Sequence, residues 1–136
     1  MRVVDYKTGH RKPSGIQSVE DLFNPEKIDN HSDYCLQTIL YGTILVANKM
    51  NVTDDTDGVT APVGAALYYI QHSMKDNYNP IISFNKDKIT DVSVYHDEFM
   101  SRLKDFFREL FQKEKAFEPT PFRQRCKNCP YRALCH

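Results

Sequence analysis

Between Val63 and Gln71 the chain is apolar on both alternating faces, with Val63, Ala65, Leu67 and Tyr69 on one and Ala66, Tyr68 and Ile70 on the other. A strand of that kind is buried on both sides, which is the condition of a sheet covered by helices. Two segments have the helical period such covers need. Asn30 to Met50 reads as a helix capped by Ser32 or Asn30, with Leu36, Leu40, Thr43 and Ala47 on its apolar stripe. Asp97 to Lys115 reads as a second, in which Phe99, Leu103, Phe106, Phe107, Leu110 and Phe111 recur as a core face. Asp97 and Glu98 at its start and Lys113 and Lys115 at its end match the helix dipole, and Pro119 and Pro121 stop it. The predicted fold class is therefore α/β, a mixed sheet flanked by helices.

The remaining segments are weaker in pattern. His10 to Asp29 is polar and reads as a long loop, and Asn51 to Ala61 as a hinge. Within that hinge, Asp54-Asp55-Thr56-Asp57-Gly58 has the outline of a calcium loop, but Thr53 falls at the first acidic position and Gly64 at the twelfth, so calcium binding is rejected. Ile81-Ile82-Ser83-Phe84 is a short extended piece, and Ile89 to Tyr95 reads as a further strand with Val92 and Val94 facing one way.

Chemistry is concentrated in three motifs. The first is Asp5-Tyr6-Lys7, ending the apolar run Arg2-Val3-Val4 and followed by Thr8-Gly9. Residues two apart on a strand point to the same side, so the carboxylate can hold a divalent cation while the amine contacts a water or phosphate beside it. That pairing is the minimum for metal-assisted phosphodiester hydrolysis. In the second motif, Gln37 and Tyr41 lie four apart on a helix stripe shared with Tyr34, offering an amide and a phenol to one point in space. The third is Cys126-x2-Cys129-x5-Cys135, whose spacing is that of metal ligands. No signal peptide and no apolar span near twenty residues is visible, so a reducing, cytoplasmic setting without membrane contact is expected, and a structural metal outweighs disulfides there. Cysteine ligation suits an iron-sulfur cluster or, with a further Cys or His, zinc. Cys35 reads as a small buried hydrophobe and His136 is awkwardly adjacent to Cys135, so the fourth ligand is expected from elsewhere.

In this order, Asp5-Tyr6-Lys7-Thr8-Gly9, Gln37-x3-Tyr41 and Cys-x2-Cys-Pro-Tyr-x3-Cys together resemble the PD-(D/E)XK nucleases of the RecB-like, AddB-type iron-sulfur branch. The resemblance covers nearly the whole chain. It implies Asp5 as metal ligand, Lys7 as catalytic lysine, the Tyr6 carbonyl as a further ligand of Mg²⁺ or Mn²⁺, and Gln37 and Tyr41 as substrate contacts. It also implies a 4Fe-4S cluster on Cys126, Cys129 and Cys135, with its fourth ligand missing from this chain. The expected organisation is a truncated restriction-endonuclease-like core at 1–118 and a cysteine-rich, cluster-binding cap at 119–136.

Relatives of this kind carry a second metal-binding aspartate, often a histidine, and the first cluster cysteine ahead of the Asp-x-Lys strand. Those positions would precede Met1, so the chain is expected to be the C-terminal piece of a DNA exonuclease domain and a poor or inactive enzyme alone. The implied context is a helicase-nuclease in DNA repair, with a helicase domain or subunit as partner. A sheet edge left open by missing strands makes a homodimer of the isolated piece a further expectation.

Composition is consistent with one core: 136 residues, 40% hydrophobic and 12% aromatic, enough to bury about two-thirds of the unfolded surface. The formal net charge of +0 is unusual for a DNA binder. Local clusters, Lys7, His10, Arg11 and Lys12 in one and Arg123, Arg125, Lys127 and Arg132 in the other, supply phosphate-neutralising charge instead. With no Gly-rich nucleotide loop, ATP-driven movement would belong to other domains. The other class of reading is a non-catalytic DNA- or partner-binding fragment with a structural metal cap.

Overall fold

The structure is a computed structural model that describes residues 1–54, 59–116 and 118–135. Its centre is a parallel pair of strands, β1 (Arg2–Lys7) and β4 (Gly64–Tyr69), in the register Asp5 opposite Leu67 and Lys7 opposite Tyr69. The far edge of β4 takes hydrogen bonds from an irregular return: Leu67 N–H donates to Pro80 O at 2.8 Å, and Ile82 N–H to Ala65 O at 2.9 Å, around an antiparallel bridge between Ala66 and Ile81. That bridge sets an antiparallel segment beside the parallel pair and makes β4 the buried middle, with Ala65, Ala66, Leu67 and Tyr69 all in the core. Among the described residues the other edge of β1 has no strand partner. Two short antiparallel pairs complete the extended structure among the described residues: β2 (Val52–Asp54) with β3 (Val59–Thr60), and β5 (Ser83–Phe84) with β6 (Asp87–Lys88).

One face of the sheet is covered by α2 (Ser32–Ala47), but not through the stripe the sequence favoured. The buried side is Cys35, Thr38, Ile39, Gly42 and Thr43, while Leu36 and Leu40 are half-buried and Ala47 is exposed. Close approach is the reason. A Cβ on Gly42 would lie 3.1 Å from both methyl carbons of Val92, so the helix face has to be small there. Its polar members bond internally, Thr38 Oγ1 donating to Tyr34 O at 2.8 Å and Thr43 Oγ1 to Ile39 O at 2.9 Å, which removes the cost of burying a hydroxyl. The N-cap is neither Ser32, which is already inside the helix, nor Asn30, but His31 in the left-handed region at φ 60, its ring stacked 4.7 Å from that of Tyr34.

Three further expectations are corrected. The stretch read as a long loop contains α1 (Val19–Phe23) and a 3-10 helix at Pro25–Asn30. Val19 and Leu22 bury one side of α1, and Asn24 Oδ1 accepts from Glu26 N–H to start the next turn, with Pro25 in the first position. Ile89–Tyr95 is not a strand. Ile89 bonds Ile82 O at 2.8 Å, then Asp91 Oδ1 accepts from Ser93 N–H at 3.0 Å and turns the chain into a 3-10 helix, Val92–Tyr95, which buries Val92 and leaves Val94 exposed. The last long helix, α3 (His96–Leu110), ends well before Pro119. Its Phe99 is fully buried, 5.6 Å from the Phe23 ring, but Phe106, Phe107, Leu110 and Phe111 remain 39–72% exposed, so the distal half of the aromatic stripe is not core. Asp97 and Glu98 do open the helix, and Arg108, rather than Lys113 or Lys115, is the basic residue of its last turn.

The cysteine segment forms a 3-10 helix, Arg123–Asn128, and the single turn α4 (Arg132–Cys135). It is tied to the core through Arg125, which donates to Pro25 O, lies 3.8 Å from Asp29 and stacks its guanidinium 4.4 Å over the Phe122 ring. No helix among the described residues is long and apolar enough to cross a membrane. The acidic run considered for calcium falls largely at 55–58, and His136 at the chain's end, both outside the described residues.

Candidate active site

Alternation along β1 sets the site. Met1 O accepts from Gly64 N–H of β4, so the backbone groups of residues 3, 5 and 7 face β4 and those of 2, 4 and 6 face the open edge. The Tyr6 carbonyl is therefore directed to the edge that no described strand covers. The Asp5 and Lys7 side chains share the other geometry, both on one face and only 19% and 17% exposed. Lys7 Nζ lies 2.8 Å from Asp5 Oδ2.

That contact is one of charge rather than of hydrogen bonding. Asp5 Oδ2 is buried and meets the ammonium without an aligned hydrogen bond. Lys7 instead donates to Gln37 Oε1 at 3.3 Å, and Gln37 Nε2 to Tyr41 Oη at 2.7 Å. The ring of Tyr34 closes the shell, its centroid 4.0 Å from Lys7 Nζ. The sequence motifs of β1 and α2 thus meet: Asp5, Lys7, Gln37 and Tyr41 form one continuous polar chain. Tyr34, on the same helix stripe as Gln37 and Tyr41, joins it through a contact with Lys7 that the motif did not assign.

A buried carboxylate oxygen held by charge alone, with an outward carbonyl at the next residue, is a hard-oxygen donor set, which fits a small divalent cation such as Mg²⁺ or Mn²⁺. Asp5 and Tyr6 would supply two of its ligands. Among the described residues no group of three His, Cys, Asp or Glu side chains converges to hold a metal ion. The same holds for the cysteines: Cys126 and Cys129 are half-buried and Cys135 exposed, all as free thiols, and they do not converge on one point. Cys35 is a core residue as expected, 1% exposed, and burial, with Asp33 adding to it, pushes its thiol up to about 12. It is no thiolate donor.

The basic cluster after β1 is held by the turn that follows β4. Gln71 Nε2 donates to Thr8 O at 2.8 Å, and a His72 ring nitrogen lies 2.7 Å from His10 O. This places the 8–12 segment at the carboxyl ends of both parallel strands, where open α/β sheets bind ligands.

Neither the curated proteins nor the solved structures contain a match to this chain. A model of the PD-(D/E)XK nuclease superfamily matches residues 1–136, the whole of it. The chain, with its acid and lysine paired on a strand beside a Gln-Tyr helix, belongs to the PD-(D/E)XK nuclease superfamily.

Proposed function

We propose that this chain carries the catalytic strand of a metal-dependent DNA nuclease, of the RecB/AddB-like type that works with a helicase domain or subunit in DNA repair. Membership of the superfamily supports a nuclease-type activity. The observation that carries the assignment of residues is the Asp5–Lys7 pair joined to Gln37 and Tyr41. When bound, Mg²⁺ or Mn²⁺ polarises the scissile phosphate and acidifies a water. Asp5 and the Tyr6 carbonyl would hold the ion. Lys7, kept in place by Gln37 and Tyr34, orients the attacking water and offsets charge developing on the phosphate. Gln37 and Tyr41 present an amide and a phenol to the strand.

Residues 1–118 form the nuclease core in this reading and 119–136 a cap. The Cys-x2-Cys-x5-Cys spacing supports a 4Fe-4S cluster there. Its assembly would draw together thiols that stand apart as free cysteines.

Cleavage of single- and double-stranded DNA with Mg²⁺ or Mn²⁺, together with Mn²⁺ binding followed by electron paramagnetic resonance, tests the site. Asp5→Asn should lose both cleavage and Mn²⁺ binding, and Lys7→Met cleavage alone, each by at least about 100-fold. Undiminished cleavage in either variant overturns the assignment. A second reading, a DNA-binding fragment without catalysis, is favoured by the absence of three converging metal-ligand side chains among the described residues. DNA binding without Asp5-dependent Mn²⁺ uptake would select it.

A further inference from the structure

Segments 12–16 and 79–83 enclose a cavity of about 250 Å³ on the core side of β4, with Cys35, Leu67 and Tyr69 in its wall. Such a space is much larger than a single water needs. Tyr69 is 1% exposed and its hydroxyl has no hydrogen-bond partner. Leaving a buried donor unmade is costly, and an incoming acceptor would recover that cost. Asn79, also in the wall, spends its carboxamide oxygen on Ile81 N–H at 3.0 Å, so its amide nitrogen is the end left to donate. Pro13, Ile16, Pro80 and Ile81 supply apolar walls. Apolar walls with a few polar groups among them suit a ligand with a hydrogen-bonding ring.

Charge at the rim specifies the rest of the ligand. Lys12 belongs to the cavity lining and sits 4.2 Å over the Tyr78 ring. Burial and then the nearby Lys75 ammonium pull Lys12 below the usual lysine range. Among the described residues neither lysine forms an ion pair. An ammonium in the cavity lining that has no carboxylate partner among the described residues suits an anionic group on the ligand. Position completes the case: Tyr69 is in register with Lys7 on the neighbouring strand, about 4.8 Å away across the sheet.

We propose that this cavity seats one nucleotide of the DNA strand, its base out of the stack and against Tyr69 and Asn79, its phosphate on Lys12, next to the phosphate held at Asp5 and Lys7. The proposal rests on the nuclease reading and adds a specificity pocket to it. Unstacking is cheapest at a strand end or in single-stranded DNA, so these are the substrates the pocket selects.

Calorimetric titration of the full chain with deoxynucleoside 5′-monophosphates, without divalent metal, tests the pocket apart from catalysis. The parent chain should bind them saturably at millimolar concentrations. Tyr69→Phe should bind at least about fivefold more weakly, and Lys12→Ala should weaken the monophosphates while leaving the uncharged deoxynucleosides unchanged. Ser83→Trp, which adds bulk from β5, should abolish binding, and it keeps the test decisive if Tyr69→Phe does not fold. No saturable binding by the parent, or equal binding in all three variants, overturns the pocket. Neither outcome touches the nuclease reading, which stands or falls on metal-dependent cleavage and Mn²⁺ binding at Asp5.

Discussion

The ammonium of Lys7 rests 4.0 Å from the centre of the Tyr34 ring, so the residue proposed to act on the phosphate is positioned by a helix side chain from outside the acid-lysine motif. Cation-ring attraction and the Gln37 bond together hold Nζ against the pull of Asp5. Tyr34→Leu is expected to lower kcat roughly 3- to 30-fold with KM little changed, the range that one such contact supports. Tyr34→Phe keeps the ring face and should restore the rate. A Tyr34→Phe variant as slow as Tyr34→Leu would show that the phenol, not the ring, matters.

The polar chain at the site was legible in the sequence because both halves obey simple periods. Residues 5 and 7 share a strand face, and 34, 37 and 41 share a helix stripe. What periodicity could not give was which helix stripe faces the sheet. Leu36 and Leu40 are the more hydrophobic residues, yet Cys35, Thr38, Gly42 and Thr43 are the buried ones, because separation between α2 and Val92 decides the contact and small residues permit it. The same limit applies to α3. Its aromatic spacing is perfect for a core face, but only Phe99 meets a partner deep enough to be covered, and spacing carries no information on where the covering element ends. The strand misread at Ile89–Tyr95 failed for a local reason, the Asp91 side chain capping Ser93 N–H.

The contact between Gly42 and Val92 is predicted to be coupled. Alanine at 42 gains helix propensity of about 1 kcal/mol but puts a methyl 3.1 Å from both Val92 methyls. Gly42→Ala alone should therefore change stability little, whereas in a Val92→Ala background the same substitution should stabilise. A double-mutant cycle in urea should return a coupling of about 1 kcal/mol. Additive behaviour would mean that Val92 moves aside freely.

Asp91 gives the fold a dependence on acid. Burial raises its carboxyl, but the Ser93 hydrogen bonds, the Val63 N–H and the chain's amino terminus outweigh that and hold it below 3.8. A lowered native value means stability that is present above the unfolded value, about 3.9, and is lost as pH falls through the native one. The urea midpoint of Asp91→Asn should lie below that of the parent at pH 7, and the gap should close as pH drops below about 4. A gap that stays constant over that interval would assign the contribution to the amide-sized shape of the side chain and not to its charge.

Thiol reactivity separates the four cysteines and reports on the cap. Cys35, with 1% exposure and a thiol raised to about 12, should resist a thiol-titrating disulfide reagent at neutral pH until the chain is unfolded. Cys126, Cys129 and Cys135 are half-buried or exposed and should react at once, giving three fast thiols and one slow one. The cluster proposal adds a second stage. After anaerobic incubation with iron and sulfide those three should become protected together while Cys35 is unchanged, since all three would be ligands of one centre. Protection of none, with the three still reacting at their original rate, would leave the segment as a packing element held by Arg125 on Pro25 and Asp29.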